Sequence, residues 1–504
     1  MISNVTLPRL GIPRTPIYPP LIAAAYVIGM YAASNVSVEA LPRPLVVAIA
    51  CGLVIQLILS AIQRNADRGA FVSLLALFVL MGLGVLTLIL GTWLAAAAYI
   101  AIRRGRGLQT MPWLRATRIL NASAVLTIVL VVANGAFDGA FSSSSAPWNV
   151  PRGTAAAGLP DIYLIMLDGY PRSDTLATNF DLDNRPFLSS MESLGFDVAT
   201  DSHSNYDATV LTLASMFNGA QIPGLMPDPP KGLPAHFRAV TKVINQGARL
   251  KAFRQAGYEL VSIPSGYNEG ALRAVDRFID SDQLSTFEMQ LLTSGGTPRA
   301  LAPLERTWLP DQHRARIEAT FAALRSLAAE RAAPPKLVFA HLLTPHMPIA
   351  FTKSGGAAEP LPCFPVLCTL FTYGDEYGAS KDAAMRDQIE WVNAQVEATV
   401  RTIQARSANP PVIVIFSDHG MRNLPDDRNE MFRSFFLAST PGKTDIFPNN
   451  TTPVNMLTRL LNAYTGLGAP LSSEESYWSD TRTADPSQVF KLELWPVSDD
   501  LSRR

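Results

Sequence analysis

The pattern of apolar and polar positions divides the chain into two unlike parts. Up to about residue 137, apolar residues run on without a period that would leave one side polar. Residues 18 to 36, 44 to 62 and 119 to 137 each reach the roughly 20 residues that a helix needs to cross a bilayer. Between them, residues 71 to 102 carry no charge at all, a length too great for one ordinary span and short for two. From residue 161 onward the runs are short and rich in β-branched residues, as in "DIYLIMLDGY", "YELVSIP" (258 to 264), "KLVFAHLL" (336 to 343), "PVIVIFS" (411 to 417) and "SFFLAS" (434 to 439). Such runs read as strands buried on both faces. Helical patterns fall between them, at 185 to 194, 208 to 217, 240 to 256, 311 to 331 and about 381 to 405. Strands alternating with helices predict an α/β fold, a largely parallel sheet covered on both sides.

Charge orients the first part. The chain has 42 basic and 42 acidic residues, but residues 1 to 150 hold ten arginines, no lysine and only Glu39, Asp67 and Asp138. Arg9 and Arg14 precede the first apolar stretch, Arg64 and Arg68 follow the second, and Arg103, Arg104, Arg106, Arg115 and Arg118 precede the last. If all three clusters are cytoplasmic, residues 71 to 102 go out and return as two tight helices turning near Gly82, Gly84 or Gly91. That predicts five spans, a cytoplasmic amino terminus and an exported remainder, in a cell or inner membrane. The alternative is one long tilted span, which moves the five-arginine loop outside. Residues 138 to 160, rich in Ser, Gly, Ala and Pro, read as a linker between a transmembrane domain (1 to 137) and an exported domain (161 to 504). Nothing resembles a basic patch with interleaved aromatics, so nucleic acid is not an expected partner. Cys363 and Cys368, four residues apart, can close a small disulfide loop in an oxidising compartment; a metal site from these two alone lacks ligands.

Chemistry concentrates where the strands end, which is where parallel sheets place their working residues. The first strand ends on Asp168, the third supplies His341 and then His346, and the fourth runs into Ser417, Asp418, His419 and Gly420. An Asp–His pair alone is either a turn with a satisfied imidazole or half of a metal site. The segment "DSHSNYDATVLTLASMFNG" (201 to 219) offers Thr209 in the first turn of a helix, close to unpaired backbone amides. Asp207 or Thr209 serves equally as a helix cap.

Together, "DIYLIMLDGY", "TVLTLASMF" beginning 41 residues after Asp168, "LLTPHMPI" and "VIFSDHG" resemble the alkaline phosphatase and sulfatase superfamily. Within it the chain resembles membrane-anchored phosphotransferases: lipoteichoic acid synthases, phosphoglycerol transferases and phosphoethanolamine transferases. The resemblance implies a bundle of spans followed by an exported α/β/α sandwich. It implies one divalent cation, Zn or Mn rather than Mg, held by Asp168, Thr209, Asp418 and His419. Thr209 is the implied nucleophile and His346 the implied contact to the transferred phosphate or leaving group. His341 and Asn205, beside matched positions, are expected substrate contacts. The implied donor is a membrane phospholipid and the implied acceptor an envelope glycan or lipid.

Two departures narrow the expectation. The nearest approach to the formylglycine signature of sulfatases, "CFPVL" from Cys363, ends on Leu367, so sulfate ester hydrolysis is not expected. With six histidines in the chain, one catalytic metal is expected rather than two. The alternatives to transfer are a phosphodiesterase or phosphatase, with water as acceptor, and a non-catalytic scaffold.

Overall fold

The computed structural model describes residues 14–34, 36–81, 113–137, 150–230, 232–293, 307–330, 334–358, 378–421, 428–479 and 491–497. The chain forms two compact units, residues 1–142 with 290–302 and residues 143–289 with 303–504.

In the first unit the described helices are Tyr18–Ala33, Pro42–Gln63, Ala66–Leu80 and Trp113–Phe137. Two stretches, Val38–Gln63 and Ala116–Ala136, are long and apolar enough to cross a membrane. Their outward faces are apolar: Leu57 is 68% and Ile119 65% exposed, which water would penalise and lipid would not. Tyr18–Ala33 is a shorter apolar helix of 16 residues. The described residues thus contain two helices long enough to span rather than a clear set of five. The proposed turn-back within 71 to 102 begins in Ala66–Leu80 and otherwise lies outside the described residues. Some polar groups on these helices are met within the unit, as an apolar surrounding would require. Asn121 accepts from the Ile17 amide (3.0 Å) and donates to the Thr15 carbonyl (2.9 Å), and Thr117 donates to Asp67.

The second unit is built on a seven-stranded sheet in the order β2-β7-β6-β1-β5-β3-β4. The strands are β1 (Ile162–Leu167), β2 (Asp197–Val198), β3 (Glu259–Ile263), β4 (Arg277–Phe278), β5 (Lys336–Leu342), β6 (Val412–Phe416) and β7 (Phe436–Ser439). The five from β6 to β4 are parallel, and β7 and β2 add an antiparallel edge. That edge departs from the uniform reading of "SFFLAS": an apolar run shows burial, while direction depends on the connection before it. A second sheet pairs β8 (Ser476–Trp478) with β9 (Glu493–Trp495).

Alternation along β1 divides the core. Tyr163, Ile165 and Leu167 face a cluster with Phe321 of the helix Leu309–Leu327 and Ile389 of Gly378–Arg406. Ile162, Leu164 and Met166 face a cluster with Leu213 of Thr209–Asn218, Val240 of Leu233–Asn245 and Leu457 of Pro453–Thr465. Both faces are therefore covered, which is why the strands read as continuous apolar runs. The helix expected over 240 to 256 is two, Leu233–Asn245 and Ala248–Gln255, broken at Gly247. A Cβ there would sit 3.0 Å from the Phe217 carbonyl oxygen. Of the expected linker, residues 150 to 160 are tied down: the Gly153 amide donates to Arg254 and Arg254 donates to the Val150 carbonyl.

Candidate active site

The three strands that carry the candidate chemistry are adjacent: β1 lies between β6 and β5. Register pairs Met166 with both His341 and Phe416, so Asp168 and Asp418 leave the sheet at the same level, with His341 two positions earlier on β5. They also share the strand parity of Met166, Phe339 and Phe416, whose side chains face the Thr209–Asn218 helix. Neighbouring strands and a common face bring together residues 250 positions apart.

Four ring and carboxylate groups meet there. Asp168 Oδ1, His346 and His419 offer ligand atoms that all lie within 4.8 Å of one another. His419 Nε2 is 3.5 Å from Asp168 Oδ1 and 3.5 Å from Asp418 Oδ2, too long for hydrogen bonds. Such spacing suits an ion: ligands around a tetrahedral cation with bonds of about 2.1 Å stand about 3.4 Å apart. Asp168 Oδ1 and Asp418 Oδ2 are buried without a hydrogen-bond partner, a costly arrangement for carboxylates that a cation would relieve. Each imidazole is held by its other nitrogen. His346 Nδ1 donates to the Met347 carbonyl (2.6 Å) and His419 Nδ1 to the Gly420 carbonyl (2.7 Å), which leaves Nε2 of both as the ligand atom. The residues present therefore fit a divalent cation.

The surrounding contacts explain the local sequence. In "SDHG", the Ser417 hydroxyl accepts from the Tyr170 amide (2.8 Å) and donates to the His419 carbonyl (2.7 Å), locking the end of β6 to the turn after β1. Asp418 Oδ1 accepts from the Gly169 amide at 3.1 Å. Gly420 is backed by main chain: a Cβ would lie 2.1 Å from the Glu430 carbonyl oxygen and 2.6 Å from that of Arg433. Gly169 (φ +66°) sits between the two imidazoles, where a Cβ would lie 3.3 Å from His346 Cδ2 and 3.3 Å from His419 Cε1. His346 is steadied from outside the motif. Its amide donates to the Asp168 carbonyl (2.9 Å), and buried Gln388 donates to the Pro345 carbonyl and accepts from the Ala350 amide.

Burial alone would raise the Asp168 carboxyl, but the His346, His341 and His419 imidazoles hold it well below the usual carboxylate range. It is an anion facing three imidazoles, a donor set ready for a cation.

His341 Nε2 bonds Asp168 Oδ2 at 2.9 Å and Nδ1 meets the Ser265 hydroxyl at 3.1 Å, so both nitrogens are engaged and the ring orients Asp168. Asn205 is likewise structural: Oδ1 accepts from the Val454 amide and Nδ2 donates to the Glu475 carbonyl, both at 2.9 Å. Both ends of its amide bond backbone groups. Cys363 and Cys368 lie outside the described residues.

Thr209 opens the Thr209–Asn218 helix and is 7% exposed. One turn on, the Thr212 hydroxyl donates to the Asp418 carbonyl at 2.9 Å, which ties this helix start to the turn of Asp418 and His419. The capping alternative does not hold: Ala208 is the cap residue and no side chain caps the helix. Asp207 instead accepts from the Ser479 amide and hydroxyl. Ser265, Thr212 and Gln388 carry no sequence signal, since each acts through a partner at least 38 residues away.

No known protein family's description matches the chain, and no curated protein matches it. Solved structures do. The C-terminal periplasmic domain of EcEptC from Escherichia coli is 13% identical over 68% of this chain and 95% of that one, with a TM-score of 0.42. The soluble domain of lipooligosaccharide phosphoethanolamine transferase A from Neisseria meningitidis is 11% identical over 63% and 92%, with a TM-score of 0.38. The phosphonate monoester hydrolase of Agrobacterium radiobacter is 14% identical over 63% and 80%, with a TM-score of 0.40. The solved structures to which the chain is similar thus include a phosphoethanolamine transferase and a phosphonate monoester hydrolase, at a likeness too distant to carry an argument about activity.

Proposed function

We propose that the chain is a membrane-anchored, metal-dependent phosphotransferase. In this reading it moves a phosphorylated head group, phosphoglycerol- or phosphoethanolamine-like, from a phospholipid to an envelope glycan or lipid, by way of a phosphothreonine at Thr209. One observation carries it: Asp168, His346 and His419 converge at three adjacent strand ends, beside a helix start that Thr212 ties to Asp418. The apolar spans would keep the enzyme at the bilayer, where a lipid donor resides.

Asp168, Asp418 and His419 would hold a divalent cation, which when bound would supply positive charge favouring the Thr209 alkoxide and offsetting the phosphoryl oxygens; the mixed imidazole and carboxylate set suits Zn or Mn better than Mg. Thr209 Oγ1 attacks the donor phosphorus; the new O–P bond forms as the bond from phosphorus to the diacylglycerol oxygen breaks. The proton lost by Thr209 is balanced by one gained on that leaving oxygen. His346, when protonated, directs Nε2–H at the phosphoryl or leaving oxygen; when neutral, the same nitrogen completes the ligand set. An acceptor hydroxyl then attacks phosphorus, the Thr209 O–P bond breaks, and the acceptor's proton returns to Thr209.

The test is intact-protein mass after incubation with vesicles of phosphatidylethanolamine and phosphatidylglycerol. An added mass on the native protein, absent from Thr209→Ala with metal binding retained, supports the reading. Full turnover by Thr209→Ala overturns the covalent step. Head-group release without a modified acceptor would make water the acceptor and the chain a hydrolase.

A further inference from the structure

The residues that hold Asp168, His346 and His419 are accounted for above, but the placement of Thr209 against them rests on more than Thr212. The run 204–207, two residues ahead of Thr209, is paired along its length with a segment near the carboxyl end of the chain. The Ser476 hydroxyl donates to the Ser204 carbonyl (2.7 Å) and the Tyr477 amide to the Asn205 carbonyl (2.8 Å). Tyr206 stacks on Tyr477 with centroids 5.8 Å apart, and Asp207 Oδ1 accepts from the Ser479 amide (3.1 Å) and hydroxyl. Asp207 is 1% and Ser479 0% exposed, so their contact lies in a dry site.

The same segment packs on the stretch that backs Gly420 and Met421. Trp478, 2% exposed, packs with Met431 and Phe432. The Met431 carbonyl accepts from the Gly420 amide at 2.7 Å, and the Glu430 carbonyl accepts from Met421 at 2.8 Å. Trp495 of β9 donates to Asn429 (3.1 Å), and the Arg428 guanidinium lies 4.5 Å over Trp478 and 5.4 Å over Trp495. Residues 476–479 therefore touch both halves of the site: one side bonds the approach to Thr209, the other packs on the turn that backs His419.

From this we infer that the segment Ser476–Ser479 is a clamp that sets the spacing of Thr209 from the cation ligands, with Asp207 and Ser479 as its positioning pair. The inference rests on the assignment of Thr209 as nucleophile. None of the clamp residues touches the reacting atoms. Their role is to hold one reacting group in register with another, where a displacement of about 1 Å costs on the order of 100-fold in rate.

Two variants test it in the full-length protein loaded with Zn. Asp207→Ala removes the acceptor for both Ser479 donors, whereas Asp207→Asn keeps an oxygen at the same place. In Asp207→Ala, phosphothreonine formation with vesicles of phosphatidylethanolamine and phosphatidylglycerol should slow about 10- to 100-fold. KM and Zn affinity should stay within about twofold of the native values, and Asp207→Asn should restore most of the rate. A second readout does not need turnover. Amide hydrogen exchange in Asp207→Ala should rise at residues 209–212 and at 418–421 together, and not across the sheet. Native rate and native exchange in a folded Asp207→Ala overturn the clamp. A uniform rise in exchange through the unit also overturns it, because Asp207 would then serve general stability. Failure of the nucleophile assignment shows separately, as full turnover by Thr209→Ala.

Discussion

Gly169→Ala tests the metal centre with one methyl group. Gly169 lies at φ +66°, a conformation that costs a non-glycine residue about 1–2 kcal/mol. The added carbon would also meet His346 Cδ2 and His419 Cε1, each at 3.3 Å. That is a few tenths of an ångström closer than comfortable carbon contact, and neither ring yields easily. Each is pinned by a short Nδ1 bond, 2.6 Å to the Met347 carbonyl and 2.7 Å to the Gly420 carbonyl. The substitution thus presses two ligands apart by their edges while leaving both in place. Loss of ligand orientation of this kind lowers metal affinity about 10- to 100-fold, the equivalent of about 1.4–2.7 kcal/mol. Two measurements separate the terms. Urea unfolding of the metal-free protein should report the backbone cost of about 1–2 kcal/mol, and competition with a chromophoric chelator should report weaker Zn binding. If the metal-free protein is destabilised but Zn affinity is unchanged, the rings are not the ligands and the glycine serves only the turn.

Two further outcomes follow from the same contacts. His341→Gln deprives Asp168 Oδ2 of a ring held on its far side by Ser265, so Zn affinity should fall about 10- to 100-fold. Metal titration checks it, and native affinity would return His341 to the substrate side. His313, on the Leu309–Leu327 helix, is pushed down to about 3 by burial, with the Arg316 and His346 charges adding to the effect. Its folded value lies below the unfolded one, so its contribution is fully present above about pH 6.5 and is lost as pH falls toward 3. Across that window His313 should cost up to about 1.4 kcal/mol of stability per pH unit. Urea unfolding of the native protein and His313→Gln at pH 7 and pH 5 compares them, and equal slopes would refute the assignment.

Much of the second unit was legible in order. β1, β3, β5, β6 and β7 fall within the apolar runs that announced them, because strands buried on both faces are apolar at most positions. The helix at 209 was legible from its start, while the αL residue Gly219 that ends it came from the structure. The short strands at 197–198 and 277–278 and the hairpin of β8 with β9 were not, since two or three residues carry no period. In the first unit composition revealed apolar helices, while the number that span is a question of length: Tyr18–Ala33 has 16 residues and Pro42–Gln63 has 22.

The sequence by itself determined which residues could do chemistry: Asp168, His346, Asp418 and His419 at strand ends and Thr209 at a helix start are visible because ligand types there interrupt apolar runs. Only the tertiary structure decided their company. Strand order placed β1 between β6 and β5, and that adjacency makes three distant motifs one cluster. It also gave His341 and Asn205 partners that spacing could not show: Asp168 and Ser265 for the first, backbone groups for the second. Asp207, a cap by its spacing, became an anchor for Ser479, 272 residues away. The physical reason is the same throughout. Residue type limits what a group can bond to, but a buried polar group takes whichever partner the packing leaves beside it, and packing is a property of the whole chain.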